Sequence, residues 1–116
     1  MNVEEFYEKL RKIREPKGYF FNKDRSMVMD LLESLLINKD RYNYTACPCR
    51  LATGDYELDK DIICPCVYSG PDIQEYGSCF CGLYVSKEWN EEQIAHVYVP
   101  ERRPQEKIMA ALEHGP

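Results

Sequence analysis

Apolar residues at Val3, Phe6, Tyr7, Leu10 and Ile13 recur every three or four positions among Glu, Lys and Arg, which is the period of one helix face. The pattern should stop before Pro16-Lys17-Gly18, where proline and glycine break it. Tyr19-Phe20-Phe21 follows as a short apolar anchor. Asn22 then reads as the cap of a second helix, whose inner face is Met27, Val28, Leu31, Leu32, Leu35 and Leu36. This second helix should run out around residues 39–42.

Periodicity is lost between Cys47 and Cys81, a stretch punctuated by Pro48, Gly54, Pro65, Gly70, Pro71 and Gly77. Such residues predict loops, with short helical turns over 56–62 and 72–76. Residues 83–86 read as extended, and 94–99 are compatible with extended chain ahead of an open connector at 100–104. A terminal helix over 105–113 places Ile108, Met109 and Leu112 on one side. The expected fold is mainly α, one small domain of helices with irregular cysteine-bearing loops, spanning 1–116.

The loops carry the chemistry. Cysteine occurs only as three Cys-X-Cys pairs, Cys47-Pro48-Cys49, Cys64-Pro65-Cys66 and Cys79-Phe80-Cys81, separated by 14 and 12 residues. Six thiols are one pair more than a four-cysteine metal site requires, which suggests four ligands with a redox-active dithiol beside them. In extended chain, Cα atoms at i and i+2 lie roughly 6.5 Å apart. Two thiolates on one zinc need sulfurs only about 4 Å apart, usually supplied by C-x2-C turns. A cubane iron–sulfur cluster, held by well-separated thiolates, is the better match. Spacing alone leaves open which four cysteines bind. A zinc or cluster site that only staples the loops is the plainer alternative.

Composition narrows the function classes. With 44% hydrophobic and 30% charged residues the chain is an ordinary globular one. No apolar run near the start resembles a signal peptide or a membrane span, so the expected compartment is the cytoplasm, where thiols stay reduced. A secreted three-disulfide scaffold is correspondingly disfavoured. The net charge of −5 argues against nucleic acid. Basic residues still cluster at Lys17, Lys23 and Arg25, at Lys39, Arg41 and Arg50, and at Arg102, Arg103 and Lys107. An acidic partner could use one such patch, although solvated surface charge is the simpler reading.

These motifs resemble the catalytic chain of ferredoxin:thioredoxin reductase and its stand-alone relatives, the ferredoxin:disulfide reductases. The resemblance runs over 18–85, from Gly18-Tyr19-Phe20-Phe21 through Cys47-Pro48-Cys49-Arg50 and Cys64-Pro65-Cys66-Val67 to Cys79-Phe80-Cys81 and Leu83. It implies a core of 18–86 with a C-terminal extension of 87–116. By this resemblance Cys47, Cys64, Cys66 and Cys79 hold a [4Fe-4S] cluster, while Cys49 and Cys81 form the redox disulfide. It further implies a ferredoxin-type or rubredoxin-like electron donor and a thioredoxin-like disulfide protein as substrate; charge and the lack of an apolar run argue separately for no nucleic acid and no membrane partner. In that scheme Cys81 is the sulfur captured by the cluster and Cys49 the nucleophile. The alternative is a non-catalytic iron–sulfur or zinc module, such as a redox sensor or complex subunit.

One residue departs from the family pattern. The third pair normally reads Cys-His-Cys, and here its centre is Phe80. That leaves the proton donor unassigned, because His96 and His114 both lie outside the motif and read as ordinary surface or packing residues. Arg50 would favour a Cys49 thiolate if it reached back, a role weighed equally against pairing elsewhere. Trp89 and the tyrosines at 42, 44, 56, 68 and 76 are expected to shield the site from water.

Overall fold

A computed structural model of the protein describes residues 1–114. Helix α1 is Val3–Arg14, capped by the Asn2 side chain, which accepts from the Glu5 amide at 2.8 Å. One 3-10 turn, Glu15–Lys17, ends at Gly18 with φ +86°, and the chain then enters strand β1, Phe20–Phe21. Helix α2 spans Arg25–Tyr42 and stops at Asn43 in the left-handed region, φ 69°. Its cap is Asp24, which accepts from the Met27 amide. Asn22, the expected cap, instead accepts from the Asp24 amide and donates to the Gly82 carbonyl at 3.0 Å. That second bond ties the start of α2 to the third cysteine pair, so the asparagine serves a tertiary contact.

The cysteine region holds short helices α3 (Tyr56–Asp59), continued by a 3-10 turn at Lys60–Ile62, and α4 (Ser69–Tyr76). Helix α4 starts ahead of the predicted 72 because Pro71 falls in its first turn, where an amide donor has no helical partner to lose. Strand β2, Tyr84–Val85, pairs antiparallel with β1, Phe20 opposite Val85 and Phe21 opposite Tyr84. Helix α5 (Lys87–Asn90), absent from the sequence reading, is capped by Ser86. Residues 94–99 form neither helix nor strand. Helix α6, Gln105–His114, buries Ala111 and half-buries Ile108 but leaves Met109 44% and Leu112 57% exposed, so only part of the predicted apolar face packs.

The main core lies where β1, α2 and β2 meet. Val28, Leu32, Leu35 and Leu83 are almost wholly buried there, and Phe21 stacks between Tyr7 at 4.7 Å and Tyr84 at 5.3 Å. Cys79 belongs to this core, whereas Cys47 packs with Ile62 and Tyr68 in a second cluster, so the cysteine loops lie between two apolar centres.

A buried carboxylate organises the loop after the first pair. Asp59, 0% exposed, accepts from the Tyr44 hydroxyl at 2.6 Å, the Thr53 hydroxyl at 2.9 Å, and the Thr53 and Gly54 amides at 3.0 Å. Burial pushes its pKa up, but these donors outweigh burial and the group titrates below the usual range. A depressed folded pKa contributes stability above the unfolded value of about 3.9, and that stability is lost as pH falls through the folded value. Asp59→Asn, which turns an NH2 toward these donors, is expected to lower stability by about 1–3 kcal/mol at neutral pH. The deficit should shrink on acidification, as read from denaturant midpoints at pH 7 and pH 3.

Candidate functional site

Backbone pairing, more than the thiols themselves, brings the three cysteine pairs together. Ala46 bridges antiparallel to Ile63, with the Cys47 amide bonded to the Ile62 carbonyl and the Cys64 amide to the Thr45 carbonyl, both at 2.8 Å. The first and second pairs therefore leave one two-stranded bridge from its opposite ends, Cys47 opposite Ile62 and Cys64 opposite Thr45. Asn38, on α2, donates to the Ala46 carbonyl at 2.8 Å and anchors that bridge to the long helix. The Cys64–Pro65 peptide is cis, and α4 begins directly after the second pair, with the Ser69 hydroxyl on the Cys66 carbonyl at 2.7 Å. The third pair sits in a turn closed by the Gly82 amide on the Cys79 carbonyl at 3.0 Å. Gly82 has φ +77°, a conformation that glycine adopts without strain.

Five of the six thiols line one small, tight cavity: Cys47, Cys64, Cys66, Cys79 and Cys81. Arg50, Phe80 and Tyr84 complete much of its wall. Cys49 is outside the cavity and exposed, while Cys47 and Cys79 are buried. Cys81 is the point of contact between the sets, its Sγ 4.0 Å from Cys47 and 3.9 Å from Cys79. The tightest trio among the described residues is Cys47, Cys49 and Cys81, all within 4.8 Å of one another. Cys64, Cys66 and Cys79 thus share the cavity with Cys47 but lie outside that trio, which instead joins Cys47 to both cysteines of the expected dithiol. No histidine or carboxylate lines the cavity, so its donor set is all thiol, as iron–sulfur clusters and zinc-thiolate sites require.

The thiols do not share charge equally. Cys47 is pushed well down, first by hydrogen bonds from Cys49 and Cys81 and also by the positive charge of Arg50. Cys49 is correspondingly pushed up, because its thiol serves Cys47. Burial raises Cys64 and Cys66. Cys79 is lowered as well, first by its hydrogen bond from Cys81, so Cys47 and Cys79 give up their protons most readily and a bound metal would have to draw protons off the other four.

Arg50 does not reach back to Cys49. Its side chain, 2% exposed, lies with its guanidinium carbon 4.5 Å from the Phe80 ring centre and 5.2 Å from that of Tyr68. One N–H donates to Cys66 Sγ at 3.3 Å, and the other edge meets Glu101 at 2.7 Å. Arg102 and Arg103, read as surface charge, are paired internally as well. Arg103 is buried, on Asp61 at 2.9 Å and on the Leu58 carbonyl at 3.0 Å, and Arg102 holds the fully buried Asp72 at 2.7 Å. Local composition carries no sign of these pairs, which link residues 30 to 51 positions apart.

The aromatic shield is smaller than expected. Tyr68 sits beside Arg50, but Tyr42, Tyr44 and Tyr56 contact one another at 6.0 and 5.9 Å, and Trp89 stacks on His96 at 3.5 Å. Phe80 and Tyr84 line the cavity instead. Neither His96 nor His114 lines it.

A helical scaffold that gathers five thiols around one cavity and leaves a sixth at its rim fits a cysteine-based metal and redox protein. The chain belongs to the family of the ferredoxin thioredoxin reductase catalytic beta chain, whose model matches residues 1–105. The match reaches beyond the 18–85 resemblance at both ends and takes in Glu101, Arg102 and Arg103. Membership supports a disulfide reductase. A comparison with curated proteins gave no significant match. Among the described residues, no helix is long and apolar enough to cross a membrane.

Proposed function

We propose that this chain reduces a protein disulfide, such as that of a thioredoxin, with electrons from a ferredoxin or rubredoxin-like carrier. In this reading Cys47, Cys64, Cys66 and Cys79 hold a [4Fe-4S] cluster, and Cys49 and Cys81 are the redox pair. Residues 18–86 carry the chemistry, 87–116 are a C-terminal extension of that core, and the expected setting is the reducing cytoplasm. The supporting observation is the division of the thiols, with five around one cavity and Cys49 alone exposed within 4.8 Å of Cys81. The cluster, when bound, supplies electrons singly beside a dithiol that must deliver two.

The chain's own residues account for the exchange. Cys49, whose thiol is held protonated by Cys47, first gives its proton to solvent; the thiolate then attacks one sulfur of the substrate disulfide, forming a mixed disulfide and expelling the other sulfur as a thiolate that takes up a proton. Cys81, adjacent but covered, then attacks Cys49 and closes the Cys49–Cys81 bond. The substrate leaves as a dithiol carrying the two electrons, and the carrier restores the pair. Cys49 is the one fully exposed thiol of the six, and so the one best placed to meet a protein-sized substrate. An open groove lined by Ile37, Arg41, Tyr42, Pro48 and Leu51 runs alongside it. Phe80 brings no proton to this exchange, so the protons come from solvent or from another side chain.

A second reading draws on the close trio of Cys47, Cys49 and Cys81, which suits one tetrahedral metal in a non-catalytic module. Metal content separates the two. Anaerobically purified protein is expected to be brown with about four irons and four labile sulfides per chain. Colourless protein holding one zinc would sink the reductase reading.

A further inference from the structure

Glu101 lies far from the cysteines in sequence and joins the site only through Arg50. Both its oxygens receive Arg50 Nε, at 3.1 and 3.2 Å, and Oε1 also receives Nη2 at 2.7 Å. This fork uses one edge of the guanidinium and leaves Nη1 to reach Cys66 Sγ at 3.3 Å. Glu101 is itself fixed, since Oε1 accepts from the Arg103 amide at 2.8 Å and the Arg103 side chain is anchored on Asp61. Asp61 in turn accepts from the Tyr68 hydroxyl at 2.7 Å, and Tyr68 flanks Arg50. The contacts thus form a closed ring: Arg50, Glu101, Arg103, Asp61, Tyr68 and back to Arg50.

We propose that Glu101 is a positioning residue for the cysteine site, holding Arg50 so that one N–H points at the Cys66 sulfur and thereby raising the reduction potential of the centre that Cys66 helps to hold. The inference rests on the assignment of Cys66 as a cluster ligand. A hydrogen bond from a cation to a ligating sulfur stabilises the more negative, reduced state, and such bonds are among the terms that set cluster potentials. Planar forked pairing is what aims the guanidinium, because a bidentate partner fixes orientation as well as distance. Without Glu101, the Nε and Nη2 edge of Arg50 loses the partner that fixes its orientation, and Nη1 is no longer aimed at Cys66.

The test is the one-electron midpoint of the iron–sulfur chromophore in the full chain, purified anaerobically with iron content measured. Glu101→Asp keeps the charge but withdraws it by one methylene, breaking the fork. The variant is expected to keep full iron while its midpoint falls by a roughly tenfold change in the reduction equilibrium, about 59 mV for one electron. Glu101→Ala should shift the midpoint in the same direction. That sign is decisive, because removing a nearby anion would by itself raise the potential. In an Arg50→Gln background neither substitution should lower the midpoint further. If the wild-type chain holds iron and sulfide but both Glu101 variants keep its midpoint or exceed it, the positioning role is overturned and the reductase reading stands. If Cys66→Ser retains full iron, the ligand assignment fails and the Glu101 role fails with it.

Discussion

Serine at Cys47, Cys64, Cys66 or Cys79 is expected to remove the iron–sulfur chromophore, whereas serine at Cys49 or Cys81 should leave it and abolish disulfide turnover. A hydroxyl is a harder donor than a thiolate and matches a soft iron–sulfur centre poorly. Loss of one ligand from an all-thiol set should therefore cost most of the bound iron. Cys49 lies outside the cavity, so its replacement leaves the lining intact. Cys81 lines the cavity, which makes its serine variant the sharper trial of the assignment. The two dithiol variants should differ in what they trap. Cys81→Ser keeps the exposed attacking sulfur and loses the resolving one, so a disulfide-bonded adduct with thioredoxin should accumulate on non-reducing gels. Cys49→Ser should form none. The assignment fails if either dithiol serine loses iron while one of the four proposed ligands can be replaced freely.

Arg103→Ala is expected to be the most damaging change away from the cysteines. The side chain is 2% exposed and its partner Asp61 8%, so truncation leaves a buried carboxylate with no cation. Breaking a buried pair from one side costs about 3–5 kcal/mol. Small domains have about 5–15 kcal/mol in total, so the variant should unfold at markedly lower denaturant. The pH dependence fixes the mechanism. Burial pushes Asp61 up, but Arg103 and Tyr68 outweigh it and hold the carboxyl below its ordinary range. In the native protein the pair therefore contributes stability above about pH 3.9 and loses it as pH falls through the lower folded value. In Arg103→Ala the same carboxylate becomes a cost at neutral pH that protonation relieves. The stability gap between the two proteins should narrow steadily on acidification, and a gap that stays constant would place the damage elsewhere.

What could be read from the sequence was what short-range spacing controls. Val28, Leu32 and Leu35 followed from helical periodicity, because burial of α2 repeats with the backbone's own turn. Three Cys-X-Cys pairs pointed to the family of a cysteine-based disulfide reductase. The cap of α2 was misjudged because Asn22 and Asp24 both suit that place, and the Gly82 carbonyl, 60 residues away, claimed the asparagine. Met109 and Leu112 satisfied the pattern of a buried face, yet which side of α6 packs depends on what lies against it. The fate of Arg50, Arg102 and Arg103 was least legible, since an arginine on a carboxylate dozens of residues distant looks in sequence like any surface charge.

Those distant arginines also set an order of events during synthesis. A chain emerges N-terminus first, so the cysteine loops and the acids at Asp61 and Asp72 exist before the residues that neutralise them, 42 and 30 positions later. Until then both carboxylates stay hydrated, because burying an unpaired charge is too costly. The loops they belong to stay loose with them. Glu101, Arg102 and Arg103 then arrive together and fasten three separate stretches at once. The stretch from Glu101 to Arg103 is thus a latch that closes after the cysteine loops exist, and until it shuts those loops are at their most open.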